Sequence, residues 1–337
     1  MRLLFDLGHP AHFFYFKDLF RTLNKENIYF DVYARDKDVL HGLLRNSDVK
    51  FVSREFGGKS ILLRIRFLIY FTFRLYKHIK KAKITHVVSF ASPYISLAGW
   101  LAGKRVTVFD DTEHAKYERL IYAFCSDTII TPESFSLNLG SKHKTFNSHM
   151  ELLYLHPDVF FKDNSVLSRY DLLKGKDKYF IIRLVSWQAL HDVGAHGLNE
   201  ELLDSIFQLL STQGQVWFSS EGKLPSRFRT NELSIEPEDF HSILAFSSGY
   251  IGEGSTTAME CALLGVPNIY VNSLEVGYYN SMAKLGLGLQ LQSLEDVYAE
   301  LQGHYFRDIT EFKRLNKAFI SSMSNPNLAI SNIILNE

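Results

Sequence analysis

Short apolar runs alternate with amphipathic helical patterns along the first half of the chain, and that alternation leaves few folds open. Runs at 2–6, 28–34, 49–53, 86–90, 105–109 and 127–130 read as strands. Helical patterns fall between them near 12–25, 37–46, 60–82, 93–102, 114–125 and 133–139. This order builds a parallel sheet with helices on both faces, because each parallel connection has to carry a crossover back over the sheet. The beat loosens over 147–167 and resumes with "KYFIIRLVS" at 178–186. Strands at 215–219, 248–252 and 267–271 follow, with helices near 199–211, 238–246 and 255–264. A chain of 337 residues suits two domains of ordinary size. The expected architecture is therefore α/β: two doubly wound domains facing a cleft, one over 1–165 and one over 166–310. C-terminal helices over 311–337 can cross back to the first domain. Ligands of such sheets collect at the carboxyl ends of the strands, so the strand-to-helix turns should carry the chemistry.

Composition narrows the classes. At 46% apolar and 22% charged the chain reads as globular. Cys125 and Cys261 lie far apart inside apolar helical patterns, which fits reduced thiols in a cytoplasmic protein. The chain opens on the strand-like Arg2-Leu3-Leu4-Phe5, so no leader segment is expected. Its zero net charge hides an asymmetry. Residues 1–160 hold 23 Lys and Arg against 16 Asp and Glu, and no acid occurs between Glu55 and Asp110. Within that gap lies "ILLRIRFLIYFTFRLYKHIKKAKI", 61–84, too often interrupted by arginine to span a bilayer. Arg64, Arg66, Arg74, Lys77, Lys80 and Lys81 would sit there beside aliphatic and aromatic surface. That describes either a core helix with a solvated basic edge or a helix resting on anionic lipid at the inner face of the cytoplasmic membrane. Nucleic acid is not an expected partner, since no reading motif accompanies the basic stretch.

Four turns stand out. In "YIGEGSTTAMECALLGVPNIYVN", 250–272, a strand ends at Gly252 and a helix starts near Thr256 or Thr257. Gly254 permits close backbone approach, and the N–H groups of Ser255, Thr256 and Thr257 would face an anion at the positive helix end. Glu253 precedes that position, and Glu260 is expected within the first helical turn, where its carboxylate could reach ribose hydroxyls. Capping alone explains Ser255 or Thr256, but not two glycines followed by three hydroxyl residues. In "RLVSWQALHDVGAHGLNEE", 183–201, Arg183 ends a strand. Ser186, Trp187, His191, Gly194 and His196 lie in the turn that follows. In "VFDDTEHAKYER", 108–119, Asp110 and Asp111 close a strand, with Glu113 and His114 at the next helix start. One of these three acids is a candidate general base, and the cluster could also hold a divalent cation. In "FDLGHPAHFFYF", 5–16, Gly8 gives close approach, Pro10 starts a helix, and His9 and His12 can point to one site, where either is an alternative catalytic base to the acids of 110–113. Lesser candidates are Glu221 in "SSEGKLP", His156 in "YLHPDVF", and "TPESF" (131–135) as a helix start.

The Gly-rich turn, the helix with an early Glu, and Leu-Gly-Val-Pro leading into a strand together resemble the donor-nucleotide site of GT-B enzymes. Those include the GlcNAc transferase of peptidoglycan synthesis and the non-hydrolysing UDP-GlcNAc 2-epimerases. More closely, the chain resembles a microbial domain-of-unknown-function family related to both. The resemblance runs through "GHPAHFFYFKDL", "ARDKDV", "DDTEHA", "TPESF", "YLHPDVF", "RLVSWQALHDVG", "PEDFHSILAF" and 250–272, which is nearly the whole chain in order. It implies a GT-B-like fold of two Rossmann-like domains. It also implies a metal-independent, inverting transfer of a sugar from a nucleotide-sugar, UDP-linked, to a saccharide or lipid-linked acceptor in surface polysaccharide or glycolipid assembly. UDP would be the product, with no cofactor. Glu260 would bond the ribose, Arg183, His191 and His196 would border the diphosphate, and 237–246 would cradle the base. A sugar-nucleotide epimerase is the alternative, although the Arg-Glu-Asn-type helix start of the epimerases is missing from 183–201.

Overall fold

The computed structural model describes residues 1–37, 39–55, 58, 60–111, 113, 116–184, 198–273, 277–303, 305–306 and 309–336. The chain divides into two compact units, one of Met1–Val159 with Ser324–Glu337 and one of Phe160–Met323.

Unit 1 runs β1 (Arg2–Leu7), α1 (Pro10–Lys25), β2 (Tyr29–Arg35), α2 (Leu40–Asn46), β3 (Phe51–Arg54), α3 (Ile61–Lys81) and β4 (His86–Phe90). It continues with α4 (Pro93–Leu101), β5 (Arg105–Phe109), α5 (Lys116–Cys125), β6 (Thr128–Pro132), β7 (His143–Phe146) and α6 (Leu152–Leu155). Among the described residues these strands form a seven-stranded parallel sheet in the order β3-β2-β1-β4-β5-β6-β7. The reversal of direction at β1 makes the sheet doubly wound and puts the switch point beside β1 and β4. Alternate residues of β1 serve opposite helical layers. Phe5 packs edge-on against Phe20 and tilted against Phe16 of α1. Leu4 joins Phe71, Leu75 and Ile79 of α3 and Ile95 of α4. Helix α1 starts where the sequence implies: Pro10 occupies its first turn, and His9 Nδ1 accepts the Ala11 N–H at 3.2 Å.

The helix expected over 133–139 does not form. After Pro132 closes β6, the chain makes a brief turn and then runs without regular secondary structure to Gly140. Phe135 is tucked into the core, and the Ser136 N–H and hydroxyl are both held by Glu113 Oε1. Those contacts compete with helical hydrogen bonds, and β7 follows at once with His143 bonded to Thr131 at 2.7 Å.

Unit 2 runs α7 (Val166–Arg169), β8 (Tyr179–Leu184), α8 (Leu198–Ser211), β9 (Gln215–Ser220), α9 (Phe240–Phe246), β10 (Tyr250–Gly252) and α10 (Ser255–Leu264). Then come β11 (Asn268–Val271), α11 (Gly277–Lys284), β12 (Leu289–Leu291), α12 (Leu294–Gln302) and α13 (Thr310–Ser322). Among the described residues its sheet is five-stranded, parallel, in the order β12-β11-β10-β8-β9. Phe180, Ile182 and Leu184 pack on Leu203 and Ile206 of α8 and Val297 of α12. The opposite face carries α9, where Tyr179 donates to the Ile243 carbonyl at 2.5 Å. Gly265 ends α10 in the left-handed conformation at φ 73°, which a side chain would strain. The final helix, α14 (Pro326–Asn336), belongs to unit 1 and packs on α1 and α6. No helix among the described residues is long and apolar enough to cross a membrane.

Candidate functional site

In unit 2 the carboxyl ends of β8 and β10 lie side by side, with Gly252 in register with Arg183. Arg183 is partly exposed and extends along the strand ends, donating to Ser219 Oγ at 2.7 Å and Glu221 Oε1 at 2.8 Å. Its guanidinium also stacks over Phe240 at 5.3 Å. Glu253 is buried: its N–H donates to the Arg183 carbonyl at 3.3 Å and its carbonyl accepts from Asn272 Nδ2 at 3.4 Å. These bonds pin the turn into α10.

Gly252 and Gly254 are glycines for different reasons. A Cβ at Gly252 would lie 2.1 Å from the Tyr250 hydroxyl, so packing beneath the turn requires it. Gly254 is at φ −95° and ψ 119°, a conformation open to any residue, so the backbone does not dictate its missing side chain. It is also the N-cap of α10, a ten-residue helix, and being glycine it brings no side-chain cap to that end. Ser255 is half-buried, Thr256 exposed and Thr257 buried at this end.

Glu260 is buried one turn further along α10, where His241 Nε2 donates to its Oε1 at 3.0 Å. His241 on α9 was not singled out in the sequence, although its segment, "PEDFHSILAF", was. A histidine 19 positions from its acid carries no local signal. The turn before α9 is tied back to α7, with Asp239 accepting from Arg169 at 2.5 Å and from Tyr170 at 2.6 Å. Ser186, Trp187, His191, Gly194 and His196 lie outside the described residues.

In unit 1 the site candidates gather where β1, β4 and β5 end. His12 Nδ1 accepts the Gly8 N–H at 3.1 Å, its ring lies 4.7 Å from Phe90, and it stacks on Tyr15 at 6.3 Å. Burial, then the neighbouring cationic groups of His9, Arg54 and Lys37, hold the His12 imidazole well below its ordinary pKa. A neutral ring whose Nδ1 accepts from the turn carries its proton on Nε2, so His12 keeps that Nε2–H as a hydrogen-bond donor. His9, exposed with Nδ1 likewise accepting, is 6.1 Å away. As placed, both histidines fit anchoring an oxygen better than removing a proton.

The acids divide. Asp110 is fully buried and accepts from the Tyr122 hydroxyl, so it fastens α5 to the end of β5 and is poorly placed to act as a base. Glu113 is occupied with Ser136. Asp111 is half-exposed, with the Tyr15 hydroxyl 3.4 Å from its Oδ2, and Tyr15 stands beside His12 and Phe90. His114 lies outside the described residues. Among the described residues no group of three or more His, Cys, Asp and Glu side chains is arranged to hold a metal ion. Of the lesser candidates, His156 is buried and accepts the Asp158 N–H at 3.2 Å, a local turn contact.

Beneath this cluster lies an ion pair that the sequence reading did not contain. Asp6 of β1, with none of its surface exposed, accepts from Arg54 Nε of β3 at 2.7 Å and from Ser92 Oγ at 2.5 Å. Arg54 reaches under Gly8, where an added Cβ would lie 3.2 Å from its Nη2. A cation is therefore buried beneath the first strand-to-helix turn.

A family profile described as "Protein of unknown function (DUF354)" matches residues 1–279. The chain belongs to the DUF354 family. A search among curated proteins finds no match. The DUF354 chain is similar in fold to the UDP-GlcNAc 2-epimerase from Neisseria meningitidis bound to UDP-GlcNAc, at 14% identity over all of both chains and a TM-score of 0.73. The UDP-GlcNAc 2-epimerase from Methanocaldococcus jannaschii is similar at 12% identity, again over all of both chains, with a TM-score of 0.70. The spinosyn rhamnosyltransferase SpnG, complexed with spinosyn aglycone, is similar at 13% identity over 99% of this chain and 100% of its own, with a TM-score of 0.61. At these identities the likeness establishes the fold. This chain is GT-B-like in fold, built from two Rossmann-like α/β units, and its structural neighbours include both epimerases and glycosyltransferases.

Proposed function

We propose that this protein is a glycosyltransferase that takes its sugar from a nucleotide-sugar, UDP-linked. The acceptor is a hydroxyl of a saccharide or lipid-linked acceptor in surface polysaccharide or glycolipid assembly. The observation that carries the reading is the edge of unit 2, where Arg183, the N-terminus of α10 behind its glycine N-cap and a buried carboxylate on that helix adjoin one another. A diphosphate is what such an edge suits: N–H groups and a guanidinium for its oxygens, with no metal needed to neutralise it. Glu260, held by His241, would accept from ribose hydroxyls, and Phe240 and its neighbours would border the base.

Unit 1 would supply the acceptor chemistry. Asp111, half-exposed and bonded to Tyr15, is the proposed base. It would take the acceptor's proton as that oxygen attacks the anomeric carbon and the bond to UDP breaks, the leaving oxygen keeping the electron pair. His12 and His9, as Nε2–H donors, would orient acceptor or sugar oxygens.

A second reading, epimerisation of UDP-GlcNAc at C2, has the support of the UDP-GlcNAc-bound epimerase neighbour. The two separate cleanly. The full chain is incubated with UDP-sugars with and without a panel of saccharide and lipid-linked acceptors, following UDP release and the sugar product. Release that needs the acceptor and yields a new glycoside supports transfer. Conversion of UDP-GlcNAc to UDP-ManNAc, or release of UDP with free ManNAc, without acceptor would sink it in favour of the epimerase.

A further inference from the structure

The outer surface of the α3–α5 layer is amphipathic in the wrong sense for a protein surrounded by water. Helix α3 buries Phe67, Phe71, Leu75 and Ile79 against the sheet, as a core helix should. Its opposite face is also apolar: Leu62, Ile69 and Phe73, spaced to share one stripe, are 72%, 67% and 57% exposed. Helix α4 packs against both α3 and α5, so the three make one layer. On α5 the outward stripe is Tyr117, Leu120 and Phe124, of which Tyr117 is 82% exposed. Trp100 at the end of α4 is exposed and lies 5.3 Å from Phe124. A solvated helix puts charge on that face, and exposed apolar area of this extent marks a contact surface.

The charges beside it identify the occupant. Glu118 is the only acid in α3, α4 and α5. Arg66, Lys77 and Lys80 are exposed along the same side of α3, and Lys77 Nζ lies 4.5 Å from the Phe73 ring. Interleaved aromatic, aliphatic and basic groups suit an interface with acyl chains beneath anionic headgroups. A second copy suits it poorly, because a two-fold contact would set these cations against their own counterparts. We propose that the outer face of α3 and α5 seats this protein on the surface of an anionic bilayer. The seat is a property of unit 1 and does not depend on the reaction proposed above.

The test is flotation of the full chain with phosphatidylcholine vesicles, with and without about 30 mol % phosphatidylglycerol. Retention at least about tenfold greater on the anionic vesicles, weakened by salt, is expected. Phe73→Glu and Phe124→Glu, each at an exposed position, should lower retention about tenfold while leaving the far-ultraviolet circular dichroism unchanged. Arg66→Glu paired with Lys77→Glu should do the same. The proposal is overturned if anionic vesicles retain no more than neutral ones or if these substitutions leave retention unchanged. It is equally overturned if the chain self-associates through this face, shown by a dimer that Phe73→Glu dissolves.

Discussion

Replacing Asp6 by Asn removes one charge from a pair that has no access to water. Asp6 is 0% exposed and Arg54 7%, with 2.7 Å between Oδ1 and Nε. The guanidinium would stay buried without its counter-ion, and breaking such a pair costs about 3–5 kcal/mol. That is about 2.2 to 3.7 orders of magnitude in the folding equilibrium. Arg54→Met leaves the carboxylate stranded and should cost a similar amount. The double variant leaves no unpaired charge, and the new amide can still meet the Ser92 hydroxyl, so most of the loss should be recovered, to within about 1–2 kcal/mol of the parent. Urea unfolding followed by circular dichroism gives the four stabilities. Hydrogen exchange assigns the loss to unit 1, since a chain of two units need not unfold in one step. A cost under about 1 kcal/mol for Asp6→Asn, or a double variant as unstable as either single one, would refute the reasoning.

Acid should weaken unit 1 through His86. Burial lowers its pKa from 6.5 to about 4, so between those values the native state binds fewer protons than the unfolded chain. The His86 contribution is full above about pH 6.5 and is lost as pH falls toward 4, by about 3 kcal/mol, and His149, which burial also lowers to about 4, adds to the loss in the same window. His86→Gln can keep a bond to Thr107 and should flatten that part of a urea-against-pH profile; an unchanged profile would exclude His86 as its source. Arg183→Met should weaken UDP about 10- to 100-fold by calorimetry. Glu221→Gln, which only releases Arg183 from its ion pair, should leave binding within about threefold. Asp111→Asn should lower kcat by about 10²–10⁴ while UDP affinity holds, measured as acceptor-dependent UDP release; a change in affinity alone would remove Asp111 from the chemistry.

The fold was legible because parallel crossovers impose their alternation on the sequence, and the Gly-rich turn before α10, where the donor is proposed to bind, lies in a single contiguous stretch. What stayed hidden was whatever depends on crossovers bringing distant residues together. Asp6 is one acid in an apolar strand, and its partner Arg54 lies 48 residues on, at the end of a strand two places across the sheet. Nothing in either neighbourhood signals a pair. The Asp110-Asp111 doublet was visible, but strand alternation decides which of the two turns inward, and Tyr122 shows that it is Asp110. The basic residues of α3 were also plain. That its outer face carries Leu62, Ile69 and Phe73 depended on which side the sheet would claim.

The central claim is that the carboxyl edge of unit 2 is a nucleotide-diphosphate site. Hydrogen exchange of the full chain with and without UDP tests it most directly, because the readout is positional. The account predicts slower exchange at the start of α10 and across 237–246, abolished in Arg183→Met with Glu260→Gln. It is contradicted if saturating UDP leaves those amides unprotected, or protects only unit 1.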